Sequence, residues 1–217
     1  MRLILASESP RRRELLRWCG IECEALPVGI DEEPRAGEAP EGTARRLARE
    51  KARAALEKLD DRKAWVLAAD TVVACGSRVL GKPRNRKQAE EYLRLLRGRE
   101  HRVITGVCLL RSPGVVESVD TAMTGVRMRN YSPAEMSAYI ESGDALDKAG
   151  AYAIQHPSFR PVESIDGCYT NVVGLPLCRV CKMLESAGWK PDLPLPEACR
   201  AGRECGFSPQ ATRNQGE

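Results

Sequence analysis

The chain has 217 residues, 42% of them hydrophobic, which is enough for a real core in one large or two small domains. Its 34 basic and 30 acidic residues leave a net charge of +4, too small an excess to demand a nucleic-acid partner but compatible with locally basic clefts. No run is long and apolar enough to span a membrane, and the apolar start is too short, without a small-residue cleavage site, for a secretory signal; a cytoplasmic protein with no membrane partner is expected.

The first apolar run, Leu3-Ile4-Leu5-Ala6, breaks into Ser7-Glu8-Ser9-Pro10-Arg11-Arg12 and predicts a strand feeding a helix. Ser9 stands where an N-cap belongs, and Pro10 fits the first helical position, where its missing N–H costs nothing. Arginines in a first helical turn oppose the helix dipole, so a purely structural explanation is strained. An anion held by the free N–H groups, Ser7, Ser9, Arg11 and Arg12 explains them better. Gly20 is placed to end this helix, and Ile21 to Leu26 alternate as a second strand.

Residues 29–42 form an acidic, Pro- and Gly-containing loop with Asp31, Glu32 and Glu33 in succession. Thr43 is expected to cap a long helix whose apolar stripe runs through Ala44, Leu47, Ala48, Ala52, Ala55, Leu56 and Leu59. Lys51 falls on the inward side of that stripe, so its ammonium must either snorkel to water or meet an anion. A buried strand, Trp65 to Ala69, is expected to end at Asp70-Thr71 before Val72-Val73 resumes it. A carboxylate there is costly unless paired or bound to a metal, which makes Asp70 the leading functional candidate.

A hairpin through Gly76-Ser77 leads to the turn Gly81-Lys82-Pro83, which holds a lysine near the strand ends. Asn85 and Gln88 suggest a capping box for a helix through Tyr92, Leu93 and Leu96 that Gly98 ends. His101–Arg111 and Val115–Met128, joined at Pro113-Gly114, read as an antiparallel pair. Ser132-Pro133 opens another helix ending at Gly143. Asp147, Lys148 and Gly150 then lead into an expected strand, Ala151 to Ile154, terminating on Gln155. Gly174-Leu175-Pro176 precedes a last helix, and from Lys190 the composition predicts a flexible tail.

Nine cysteines, an odd number in a chain expected in the cytoplasm, argue for reduced thiols over a disulfide framework. Cys178 and Cys181 form a CxxC that Cys199 and Cys205 would have to complete as a zinc site. The pair lies in a helical pattern where residues three apart simply pack, so packing is the better reading. There is no P-loop, and His101 and His156 form no visible triad with a serine or cysteine, which argues against acyl transfer.

Six segments, taken together and in this order, resemble the Maf family of nucleotide pyrophosphatases. They are Ala6-Ser7-Glu8-Ser9-Pro10-Arg11-Arg12 with Leu15-Leu16, Arg49-Glu50-Lys51-Ala52, Ala69-Asp70-Thr71-Val72-Val73, Gly81-Lys82-Pro83, Asp147-Lys148-Ala149-Gly150-Ala151-Tyr152 with Gln155, and Asn171-Val172-Val173-Gly174-Leu175-Pro176-Leu177. The resemblance covers nearly everything up to Gly188, so residues 1–189 are taken as one domain and 190–217 as the tail. It implies the α/β fold of the inosine triphosphate pyrophosphatases, a long mixed sheet with helices forming two lobes around a cleft, usually as a homodimer. It also implies hydrolysis of a nucleoside triphosphate to monophosphate and pyrophosphate, with the proton acceptor at Asp70 and specificity residues at Arg11, Thr71 and Gln155. The residues around Gln155 are similar to the branch acting on dTTP and UTP, and the acidic residue of the 7-methyl-GTP branch is missing. His156-Pro157 departs from the glycine with which the family continues.

A triphosphate normally arrives with Mg²⁺ or Mn²⁺ held by one or two carboxylates, for which Asp70 and Glu32 are the candidates. Ser7, Ser9 and Arg11 are then expected to hold phosphate oxygens, while Arg12, Lys51 and Lys82 offset charge on the departing pyrophosphate. The Gln155 amide presents a donor and an acceptor, matching the imide edge of uracil or thymine. The rival reading is a nucleic-acid-binding or division-regulating protein without turnover. An aromatic content of 5% offers it few stacking platforms, so no stable nucleic-acid partner is expected.

Overall fold

The apolar runs become the strands of one mixed seven-stranded sheet, in a computed structural model that describes residues 2–60, 64–111 and 116–189. The strands are β1 (Leu3–Leu5), β2 (Glu24–Ala25), β3 (Trp65–Cys75), β4 (Arg78–Leu80), β5 (Glu100–Arg111), β6 (Val116–Met128) and β7 (Val162–Asp166). They lie in the order β2-β1-β3-β5-β6-β7, with β4 added to β3, and only the β1 pairings with β2 and β3 are parallel. The helices are α1 (Pro10–Arg17), α2 (Pro40–Glu57), α3 (Arg86–Leu96), α4 (Pro133–Glu141), α5 (Tyr169–Val173) and α6 (Leu177–Ser186). No helix among the described residues is long and apolar enough to cross a membrane.

One edge of β3 pairs with β5 along almost its whole length, from Trp65 to Ala74. The other edge is shared: β1 takes Trp65–Leu67 and β4 takes Val73–Cys75. Between them the sheet forks, and Asp70 lies at the middle of the fork. The alternation of side chains sends neighbours in β3 to opposite faces. Val66 and Ala68 pack with α2 through Ala48, Ala52 and Ala55, whereas Leu67 and Ala69 join the core of α1 and α6 around Leu15, Leu16, Val180 and Leu184. A separate core gathers α3, α4 and the far strand ends around Leu93, Val103, Tyr131, Tyr139 and Phe159. The long strands thus carry two lobes, with the fork between them.

Helix α2 lies unusually close to the sheet because Gly106, the cross-strand partner of Asp70, has no side chain. A Cβ there would sit 2.2 Å from the Ala44 carbonyl oxygen. Gly106→Ala is therefore expected to lift α2 off β5 and cost about 3 kcal/mol, as overpacking does, visible as a lower urea midpoint. An unchanged midpoint would show that α2 adjusts freely.

Several local expectations are corrected. Strand β3 does not stop at Asp70, because pairing to β5 carries it through to Cys75. Helix α2 begins at Pro40, since a proline sets helical φ three residues before Thr43, whose hydroxyl turns back to the Ala39 carbonyl and Glu38. The expected strand from Ile21 to Leu26 shrinks to Glu24–Ala25 against the short β1. Asn85 does cap α3 by accepting from the Gln88 N–H, but the Gln88 side chain accepts from Arg84, not Asn85. Ser9 precedes α1 without a side-chain cap bond, and its own N–H donates to Ser7 Oγ at 3.2 Å. Ala151 to Ile154 form no strand; a single 3-10 turn at Ala149–Ala151, with positive φ at Gly150 and Ala151, buries the apolar residues without a sheet partner. The antiparallel pair β5–β6 is as expected, while its turn at Pro113-Gly114, the tail from Lys190, Cys199 and Cys205 lie outside the described residues.

His101 is 4% exposed and its Nε2 lies 2.7 Å from the Tyr152 hydroxyl. Burial pushes its pKa from 6.5 down to about 4. The unfolded chain therefore binds the proton first as pH falls. Stability from this group is complete above pH 6.5 and drains away toward pH 4, by about 3 kcal/mol in all. His101→Gln, which cannot titrate, is expected to flatten that part of the urea-midpoint profile between pH 7 and 4.5. An equally steep variant would assign the loss to other groups.

Candidate active site

The fork opens into a cleft of about 870 Å³ whose wall includes Ser7, Ser9, Arg11, Arg12, Glu32, Lys51, Asp70, Thr71, Lys82 and Gln155. Every residue singled out for chemistry in the sequence thus reaches one cavity, though they come from segments more than 140 positions apart.

Asp70 faces α2 from the fork and meets Lys51 Nζ at 2.5 Å, and the same ammonium reaches Glu32 Oε1 at 2.6 Å. Lys51 is 8% exposed and Asp70 7%, so the lysine on the inward stripe meets anions and does not snorkel. Burial pushes the Asp70 carboxyl above its ordinary range, against the pull of Lys51 and Arg12. Glu32 behaves oppositely: despite partial burial, the bond to Lys51 and the charges of Lys51, Lys82 and Arg12 hold it below its ordinary range. The three consecutive acids are told apart by their partners. Asp31 accepts the Glu33 N–H, Glu33 pairs with Arg84 on the surface, and Glu32 alone of them turns to Lys51. Arg46 pins the loop to α2 through Glu38 and the Glu33 carbonyl, which fixes where Glu32 hangs.

On the other side of the fork, Arg12 is 9% exposed and reaches across three segments. It donates to the Gly174 carbonyl at 2.8 Å, Ser7 Oγ at 3.0 Å and Thr71 Oγ1 at 3.1 Å. Burial lowers its pKa, with Asp70 opposing, yet a guanidinium stays charged at any working pH. Gly174 is at φ 126°, a backbone conformation closed to most side chains, and this aims its carbonyl at Arg12. Arg11 is half-buried at the opening of α1, 3.5 Å from Asp147. Lys82 is exposed and makes no ion pair among the described residues, held over the cleft by the bond from Gly150 N–H to the Gly81 carbonyl. Gln155 is exposed at the rim and its side chain hydrogen-bonds to Tyr169.

The sequence reading missed Thr105 and Asn171 as parts of this architecture. Thr105 bonds Thr71 and the Asn171 carbonyl, and the Asn171 side chain bonds the Val103 carbonyl and Thr124. A hydroxyl in the apolar run Val103-Ile104-Thr105-Gly106-Val107 was the available cue. It also gave no role to Asp147 and Lys148, an ion pair at 2.6 Å between a buried ammonium and an exposed carboxylate. Glu8, Asp31, Glu33 and Asp147 also line the cleft, but Asp70 and Glu32 are the pair whose oxygens meet at the Lys51 ammonium. Cys181 is packed in the core of α6, as the packing reading requires.

Such a cleft, at a fork in a mixed sheet, lined by a helix N-terminus, Arg12 and Lys82 together with the buried carboxylate of Asp70, defines an α/β protein whose candidate site has the chemistry to take a polyanion. The chain belongs to the Maf-like protein family, whose model matches residues 2–187. It is similar to a dTTP/UTP pyrophosphatase of Thermomicrobium roseum, 48% identical over 215 residues that cover 96% of this chain and 95% of the relative. Proteins of the same description from Myxococcus xanthus and Syntrophomonas wolfei are 49% and 46% identical over 194 and 184 residues, covering 89% and 85% of this chain and 94% and 96% of the relatives.

Proposed function

We propose that this protein hydrolyses nucleoside triphosphates to the monophosphate and pyrophosphate, with dTTP and UTP as substrates. The observation that carries the reading is the buried Asp70, raised in pKa and bonded to Lys51, in the same cleft as the α1 N-terminus and Lys82. The curated relatives point the same way in their description as dTTP/UTP pyrophosphatases.

In this reading the α1 N–H groups, Ser7, Ser9 and Arg11 bind phosphate oxygens, and Arg12, Lys51 and Lys82 favour the charge that builds on the leaving pyrophosphate. Water attacks the α-phosphorus. Its proton passes to an Asp70 oxygen, the new P–O bond forms, and the bond from the α-phosphorus to the bridging oxygen breaks with its electrons leaving on pyrophosphate. A carboxylate whose pKa is raised by burial is the better proton acceptor. The donor set also fits a divalent cation, since Asp70 and Glu32 oxygens converge on one ammonium and are hard ligands of the type Mg²⁺ or Mn²⁺ takes together with phosphate oxygens. Once bound, such an ion would polarise the phosphates and water beside Asp70. Gln155, Arg11 and Thr71 are the residues proposed to choose the base, and a cytoplasmic homodimer is the proposed working form, on the family resemblance.

The test is a panel of nucleoside triphosphates with Mg²⁺ and with Mn²⁺, scored for pyrophosphate release, with one reaction run in ¹⁸O-labelled water. Turnover of dTTP and UTP with label in the monophosphate supports the reading. Label in pyrophosphate, or no turnover of any member, rejects it.

A further inference from the structure

Thr71 is at the centre of a small hydrogen-bond network whose protons can be counted. Its Oγ1 accepts from Arg12 at 3.1 Å and lies 2.9 Å from Thr105 Oγ1. Thr105 is fully buried and reaches the Asn171 carbonyl at 3.3 Å. The remaining acceptor beside Thr71 is the Gly174 carbonyl at 3.5 Å, which already accepts from Arg12 at 2.8 Å. A threonine hydroxyl has one proton and two acceptor sites, and an arginine can only donate. Two arrangements put a proton in the 2.9 Å contact and give both hydroxyl protons an acceptor within the protein. In one, Thr71 donates to Thr105 and Thr105 to Asn171. In the other, Thr105 donates to Thr71 and Thr71 to Gly174 across the longest gap in the network.

Neither arrangement leaves Thr71 a proton to offer the cleft it lines. The shorter contacts favour the first, in which one acceptor site of Thr71 stays open. We infer that Thr105 is a positioning residue that draws the Thr71 proton inward, so that Thr71 meets the substrate only as an acceptor and selects a donor on it. Resting on the pyrimidine reading above, that donor is the imide N3–H of uracil or thymine. Cytosine offers an acceptor at N3 and is disfavoured because two lone pairs would face each other.

The experiment compares kcat/KM for UTP and CTP in the wild type, Thr105→Val and Thr105→Ser, with thermal melts of each. Valine keeps the shape and removes the hydroxyl, which leaves the Thr71 proton a choice between the Gly174 carbonyl at 3.5 Å, already bonded to Arg12, and an acceptor in the cleft. The UTP-to-CTP ratio is expected to fall about tenfold in Thr105→Val, the scale of one hydrogen bond, and to return in Thr105→Ser. A folded Thr105→Val with the wild-type ratio overturns the inference. N3-methyluridine triphosphate on the wild-type enzyme gives a second measurement that does not depend on the variant folding. It offers Thr71 no donor, so turnover equal to UTP overturns the inference. Failure of the wild type to hydrolyse UTP at all would instead strike the pyrophosphatase reading.

Discussion

Asp70→Asn is expected to lower turnover of dTTP and UTP by about 10²- to 10⁴-fold, the range over which a positioned general base contributes. The amide has nearly the shape of the carboxylate, and Lys51 keeps Glu32 as a partner at 2.6 Å, so the fold should persist. What disappears is the group that takes the proton from water at the middle of the fork. Because β3 is paired to β5 on both sides of Asp70, the backbone has little freedom to bring another acid into the same place. A folded Asp70→Asn that retained more than a tenth of the wild-type rate, measured as pyrophosphate released, would remove Asp70 from the chemistry.

Lys51→Met has the largest expected effect on stability. It leaves Asp70, 7% exposed, facing Glu32 without the ammonium that both touch. Removing one partner of a buried pair costs about 3–5 kcal/mol, because the other charge stays buried and uncompensated. The penalty should depend on pH in a definite sense. With the lysine gone the folded carboxyl of Asp70 rises further above its unfolded value, so the loss is small where that carboxyl is protonated and grows as pH rises through its folded pKa. Adding Asp70→Asn to Lys51→Met should restore most of the lost stability, since no buried charge then lacks a partner. Urea midpoints of the two single variants and the double variant at pH 5 and pH 8 give the coupling directly. Additive losses would mean that the two side chains stabilise the fold independently.

The candidate site was more legible in the sequence than the local structure around it. Asp70 showed itself as a charge in an apolar strand, and Lys51 as a charge on an apolar helical stripe. Each was conspicuous because burying an ion is expensive, and the structure pairs one with the other. The strand errors have a different origin. Whether Ala151–Ile154 or Ile21–Leu26 forms a strand depends on having a neighbour with free backbone groups, which the apolar pattern of a segment does not report. At Ala151 the chain takes a positive φ and buries its apolar residues in a turn. Thr43 has the side chain of a cap, yet Pro40, with its fixed φ, begins the helix and the threonine bonds inside its first turn.

From its residues alone the chain determined the strand-to-helix opening at Ser7–Arg12, the antiparallel pair β5–β6, the long helix carrying Lys51 and the identity of the leading carboxylate. These are local consequences of side-chain periodicity, fixed φ and the cost of burying charge. Only the tertiary structure decided that Glu32, and not Asp31 or Glu33, meets Lys51, that Arg12 braces Ser7, Thr71 and Gly174, and that Thr105 stands behind Thr71. Those outcomes depend on which edge of β3 is left unpaired between β1 and β4 and on how closely Gly106 lets α2 approach. Both are distances between segments far apart in the chain, set by packing and invisible to any pattern within one segment.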